Sequence, residues 1–216
     1  MTKSSQLHRE RIETLVDGVF AIAMTILVLE VKVPELTDRR SVDELLGALA
    51  HHGYVIAAYF FSFGMLAIFW TWHHAMAAKV RSFDKQLVIC TIGFLSLICF
   101  FPFAAALFGR YPTNGAALFV YLMVSGSVIV MQTLYFKIAM SRGLLHESVS
   151  KSQALEAHAR NVRGCAIFMV ASVPASLRMN EWVAIGVLFL GVLLMWQGKR
   201  LLAMAKREQG SAIADN

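Results

Sequence analysis

Charge is scarce in this chain of 216 residues. Asp, Glu, Lys and Arg make up 16% of it, where soluble domains carry roughly a quarter. Cysteine is scarcer still: Cys90, Cys99 and Cys165 each sit inside an apolar run with no CxxC pair. That excludes a disulfide framework and leaves them as small residues within helices. A Gly-rich phosphate loop, an internal repeat and a soluble catalytic domain are all missing. No Ser/His/Asp or multi-histidine set has the spacing an intramembrane enzyme needs. Met1 to Arg11 is polar, with no apolar core and cleavage site after it, so no cleaved signal peptide is expected there.

What remains is apolar: 57% of residues are hydrophobic and the mean hydropathy is +0.60. Charge-free runs extend over Gly53–Ala78, Gln86–Gly109, Tyr111–Phe136 and Trp182–Gly198. The first three exceed the ~20 residues that span a bilayer as a helix, and the last approaches it. With the opening helix and a weaker run at Gly164–Leu177, interrupted by Pro174, the pattern predicts six spans. They lie near 15–33, 53–78, 86–109, 113–139, 158–178 and 181–204, in one all-α transmembrane domain over 1–209 followed by a polar tail, 210–216. On that topology, fifteen Lys and Arg residues fall on one side, including Lys3, Arg9, Arg81, Lys85, Lys151 and Lys206, and five on the other. The bias places both termini in the cytoplasm. The same topology accounts for the net charge of +6 without nucleic acid as a partner.

The connections are short. Ser41 to Glu44 has the form of a capping box, opening an amphipathic helix with Leu45, Leu46 and Leu49 on the non-cytoplasmic side. Ala78–Lys85 turns spans two and three into an antiparallel hairpin, and Arg110 to Gly115 is a tight turn. Ser141–Arg163 is expected to extend spans four and five as a cytoplasmic helical hairpin.

The opening helix carries the candidate chemistry. Asp17 is a carboxylate near the start of a membrane helix, where a charge is costly and usually faces protein or water. At 100° per residue, Gly18, Ile22, Thr25 and Leu29 share a face with Ile26 at its edge, and Asp17 lies roughly 100–140° away. Alone, that ladder is ordinary helix periodicity and does not reveal a pore. His73 and His74 follow Trp70 and Trp72 at the cytoplasmic end of span two. Adjacent helical positions diverge by about 100°, so these two rings are poorly placed to share a metal, and no metal site is expected. Asp84, at the mouth of span three, suits the helix dipole there or a hydrogen bond from His74 across the hairpin.

Arg11, Leu15-Val-Asp17-Gly18 and the following Val-Phe-Ala-Ile-Ala-Met-Thr25-Ile-Leu-Val-Leu-Glu30 resemble the first helix of the transmembrane protein 175 family of potassium channels. Phe69-Trp70, His73-His74, Asp84 and Phe101-Pro102-Phe103 extend the resemblance. It implies six helices per subunit, a homotetramer whose first helices line a central pore, and an apolar constriction in place of a carbonyl filter. By position, Ile22, Thr25, Ile26 and Leu29 match the constriction. Arg11, Asp17, His74 and Asp84 match a polar network bracing the pore helix. Leu15-Val16 stands where the family has Phe-Ser, which removes one hydroxyl from that network.

The expected function is therefore a potassium-selective leak channel in a bacterial inner membrane, with the lipid bilayer and its own copies as partners, no cofactor, and potassium as permeant ion. Stacked apolar rings would gate by wetting and dewetting. Without a TVGYG segment, selectivity would be modest. Glu30, Glu35 and Asp38 would gather cations at the outer mouth. The rivals are a proton-coupled or proton-conducting transporter using Asp17, His74 and Asp84, and a non-conducting scaffold.

Overall fold

The computed structural model describes residues 3–149, with side chains from residue 9 onward, and a few helical positions between 159 and 170. The first four expected spans fall within it. The sixth, at 181–204, lies outside the described residues, as does the fifth, at 158–178, apart from those few helical positions.

Among the described residues five α-helices follow one another: α1 (Lys3–Ile26), α2 (Val42–His51), α3 (Gly53–Ala77), α4 (Lys85–Arg110) and α5 (Gly115–Ser141). Four segments there are long and apolar enough to cross a membrane: Arg9–Glu30, Gly53–Ala77, Lys85–Arg110 and Gly115–Ser141. The last three agree with the sequence bounds to within about two residues, the usual uncertainty of a helix end. The first differs. Its helix begins at Lys3, well before 15, tightens into a 3-10 turn over Leu27–Glu30, and ends there instead of at Val33. Pro34 sets the outer limit, because it disfavours helical geometry at Val33 before it.

The start signals work as their chemistry predicts. The Asp84 carboxylate accepts the Leu87 N–H at 2.8 Å and caps α4. The Asn114 side chain accepts the Ala116 N–H at 2.9 Å and opens α5. Ser41 accepts the Glu44 N–H at 3.2 Å. Glu44 does not complete the capping box by reaching back to Ser41. Its two oxygens accept the Thr37 and Asp38 N–H groups at 2.7 and 2.9 Å, closing the loop ahead of α2. Those backbone donors hold the Glu44 carboxyl below the usual carboxylate range.

The expected cytoplasmic extension of span four does not form. Gly143 adopts φ +65°, the left-handed region that glycine enters without penalty. The Leu144 N–H bonds the Ala139 carbonyl at 2.9 Å and the Gly143 N–H bonds Met140 at 3.2 Å, a Schellman end. The chain then runs extended. Val80 and Leu145 form an antiparallel bridge, with Arg81 N–H to Leu144 O at 2.7 Å and His146 N–H to Lys79 O at 3.0 Å.

α4 is the central helix, packed on α5, α3 and α1. Phe94, Ile98, Phe101 and Ala104 of α4 are completely buried, and Phe20, Phe69 and Tyr121 surround them from the other three helices. Gly109 lets α4 approach α3: a Cβ there would meet the Ala58 Cβ at 3.1 Å. Helix α1 gives this core one stripe, Val16, Phe20, Ala23 and Leu27, at the three- and four-residue steps of a single helix face.

Candidate functional site: the uncovered face of the first helix

Burying that stripe turns the opposite side of α1 outward. Ile22, Ile26 and Leu29 are 60%, 41% and 71% exposed, with Thr25 exposed among them. This is the ladder expected from the sequence. The same face is not uniformly apolar. Arg11, Gly18, Ile22 and Thr25 fall within about 60° of one another around the axis. Arg11, Thr14, Leu15, Gly18, Val19 and Ile22 line an open groove of about 440 Å³. At Gly18 an added Cβ would meet nothing within 4 Å, so the surface is recessed there.

Thr25 donates its hydroxyl to the Ile22 carbonyl at 2.8 Å. With the proton used inside the helix, the lone pairs of the oxygen remain as acceptors, which is what a partly dehydrated cation requires. One polar acceptor thus stands between two branched apolar levels.

The polar residues of the matched network divide into two groups. Asp17 accepts the Trp70 indole N–H at 2.8 Å, and the His74 ring stacks on that indole with centroids 5.5 Å apart at 27°. Trp70 therefore links Asp17 and His74. Arg11 sits six residues before Asp17 and projects about 120° from it around the same helix. Of the two readings of Asp84, the structure shows the helix-start one and no hydrogen bond with His74. Asp84 is taken up by its own helix start and by an ion pair with Arg142, which also donates to Gln86 at 3.2 Å. The Leu87 amide first, and Arg142 with it, hold the Asp84 carboxyl below the usual range. The reason is local: a capping aspartate points along its own helix start, and the Schellman turn delivers Arg142 to it.

The two adjacent histidines do diverge. His73 is buried, stacked on Phe94 at 4.6 Å and tilted against Tyr135 at 5.0 Å, while His74 is exposed. Among the described residues no cluster of three His, Cys, Asp or Glu could hold a metal. At the other end, Glu30 pairs with Arg110 at 3.1 Å and Asp38 accepts the Arg40 N–H, so two of the three outer acids are partly neutralised or engaged. Sequence reasoning passes over Gln132, whose side-chain N–H donates to the Phe69 carbonyl at 2.8 Å inside the bundle and ties α5 to α3. Its signal is a lone amide in an otherwise apolar run.

Residues 11–102 match the family model described as endosomal/lysosomal potassium channel TMEM175. A potassium channel of Chamaesiphon minutus is 29% identical over 188 residues, covering 85% of this chain and 91% of that one. A potassium channel of Streptomyces collinus is 32% identical over 127 residues, 59% of this chain and 60% of its own. The endosomal/lysosomal proton channel TMEM175 of Gallus gallus is 29% identical over 196 residues, 88% of this chain but 38% of the relative. The match thus spans less than two thirds of the Streptomyces and Gallus relatives. The crystal structure of a lysosomal potassium-selective channel TMEM175 homologue from Chamaesiphon minutus superposes with a TM-score of 0.75 at 25% identity, covering 88% of this chain and 97% of that one.

Proposed function

We propose that this integral membrane protein, which resembles the TMEM175 family of ion channels over residues 11–102, is a potassium-conducting channel built as a homotetramer around its first helices. The observation that carries the reading is the mixed face of α1. Lipid tails would accept Ile22, Ile26 and Leu29 as readily as a pore would. Arg11 and Thr14 lie at the cytoplasmic edge of the span, and deeper on the same side the open groove at Gly18 and the free lone pairs of Thr25 suit water better than acyl chains. A shared aqueous axis accommodates both kinds of residue.

In this arrangement four copies of Ile22 form one apolar ring, and Ile26 and Leu29 form the next levels. A narrow apolar ring resists ions by disordering their hydration, so a small helix rotation gates the pore by wetting it. Thr25 oxygens between the rings replace part of the lost hydration. Potassium selectivity is modest, since no carbonyl cage is present. In this reading the protein sits in a bacterial inner membrane with both termini cytoplasmic, an orientation the charge bias of the sequence supports. The base of α1, with Asp17, Trp70 and His74, is then the cytoplasmic brace.

A proton relay through Asp17, His74 and Asp84 is disfavoured by Asp84 being committed to Arg142 and to capping α4. Potassium flux from proteoliposomes, with and without an imposed proton gradient, tests the function. Ile22→Asn is expected to raise conductance about tenfold or more and to relax selectivity, since it replaces an apolar ring with a hydrated one. Unchanged flux in that variant would count against Ile22 as the constriction. Flux driven only by a proton gradient would favour a transporter, and none in either condition an inert scaffold.

A further inference from the structure

The base of α1 is held by a contact that lies outside the pore face. Arg9 donates through Nε to Glu13 at 2.8 Å and reaches through Nη1 to His146 Nε2 at 3.3 Å. The Arg9 side chain is only 22% exposed. A guanidinium has donors and no acceptor, so the imidazole nitrogen facing it must accept. It can do so only when the ring is neutral, with its proton on Nδ1. Protonation turns both ring nitrogens into donors and sets two cations against each other at this distance.

We propose that His146 is a proton-binding site on the cytoplasmic side whose occupancy releases the base of the pore helix from the rest of the subunit. His146 is well placed for this because its backbone belongs to the clasp with Lys79, next to the Val80–Leu145 bridge. Leu144, Leu145 and Val149 pack against a cluster containing Met76, Val80, Leu87 and Tyr135. One histidine therefore touches α1 through its ring and the ends of α3 and α5 through its backbone and neighbours. The charged and titratable groups facing it are Arg9 and Glu13 from α1, Lys79 and Arg81 from the loop, Tyr135 from α5, and Glu147 beside it. Arg81 is paired with Glu147 at 3.3 Å and Glu13 with Arg9. Glu13 offsets part of the Arg9 charge, so what protonation of His146 removes first is the acceptor that the Arg9 Nη1 donor uses.

The inference uses the channel reading for one of its two readouts only. The full chain in lipid nanodiscs is compared at pH 7.5 and 5.5 by amide hydrogen exchange, corrected for intrinsic rates, at Arg81 and His146. Histidine is the side chain whose charge changes across this pH range. Protection at both amides is accordingly expected to fall several-fold, and in proteoliposomes potassium flux is expected to change threefold or more over the same range. His146→Gln keeps an acceptor and cannot charge, so it is expected to hold neutral-pH protection at both pH values. Arg9→Gln is expected to show the low protection of the acid state at both. Exchange that ignores pH, or that falls equally in His146→Gln, overturns the site. Flux whose pH dependence survives His146→Gln overturns its coupling to the pore. Exchange that responds in a chain carrying no flux at any pH upholds the site and removes the channel reading instead.

Discussion

The indole N–H of Trp70 and the carboxylate of Asp17 meet at 2.8 Å, joining α3 to α1 one turn before Phe20 enters the core. A hydrogen bond to a charged acceptor contributes about 1.5–3 kcal/mol when well shielded. Asp17 is open on one side, so about 1 kcal/mol is the better expectation. A double-mutant cycle with Trp70→Phe and Asp17→Ala, followed by denaturant unfolding in detergent, measures it. If Trp70→Phe costs as much in the Asp17→Ala background as in the native chain, the bond contributes nothing and Trp70 acts by packing alone.

Two glycines on α4 separate close helix contact from mere proximity. At Gly109 a new Cβ would meet the Ala58 Cβ at 3.1 Å and the Val55 backbone at 3.4 Å, and backbone cannot swing aside. At Gly93 the neighbour is the Met131 Cε at 2.9 Å, the free end of a flexible side chain. Gly109→Val is expected to destabilise by about 1–3 kcal/mol through overpacking. Gly93→Ala should be near neutral, since Met is the most adaptable side chain in a core. Thermal unfolding of both variants decides it. Equal losses would mean that the α3–α4 spacing is not set at Gly109.

Which parts of this are legible in the chain alone follows from the range of the forces involved. Long apolar runs announce bilayer helices, so the bounds of α3, α4 and α5 are legible to within about two residues. That Ile22, Thr25 and Leu29 share a face follows from helix angle alone; that Val16, Phe20, Ala23 and Leu27 take the core and leave this face outward is settled only by packing. Side-chain partners are not legible. Asp84 pairs with Arg142 across 58 residues, and Gln132 reaches Phe69 across 63. Such partners are chosen by tertiary packing, which spacing along the chain does not encode. The end of α5 departs from expectation because helix-forming residues continue past Ser141. The single glycine at 143, able to take positive φ, outweighs them.

Asp84 predicts how stability responds to acid. Its folded pKa lies below the unfolded carboxylate value of about 3.9, so its contribution is complete above that value and disappears as pH falls through the folded pKa. The native chain should therefore lose stability more steeply below pH 4 than Asp84→Asn. Near neutrality Asn caps a helix about as well as Asp, so the variant should cost under about 1 kcal/mol there, mostly from the exposed Arg142 pair. Unfolding midpoints at pH 7 and below pH 4 provide the check. Parallel acid losses in the two proteins would show that other carboxylates govern the response.

The direction in which α1 faces can be read by thiol chemistry. In a background with Cys90, Cys99 and Cys165 replaced, Ile22→Cys, Thr25→Cys and Leu29→Cys put thiols on the ladder. Phe60→Cys puts one on an outward apolar position of α3, 68% exposed in the single chain and expected to meet lipid. A charged, water-borne methanethiosulfonate reacts with thiolates, which form where water reaches and not in lipid. The ladder positions should be modified, and because each adds a permanent charge at a narrow ring, potassium flux should fall about tenfold or more. Phe60→Cys should stay unmodified with its flux intact. Were the ladder thiols as inert as the one at position 60, α1 would be turning Ile22 and Leu29 toward lipid tails. The polar groups on the same face would then need a different explanation.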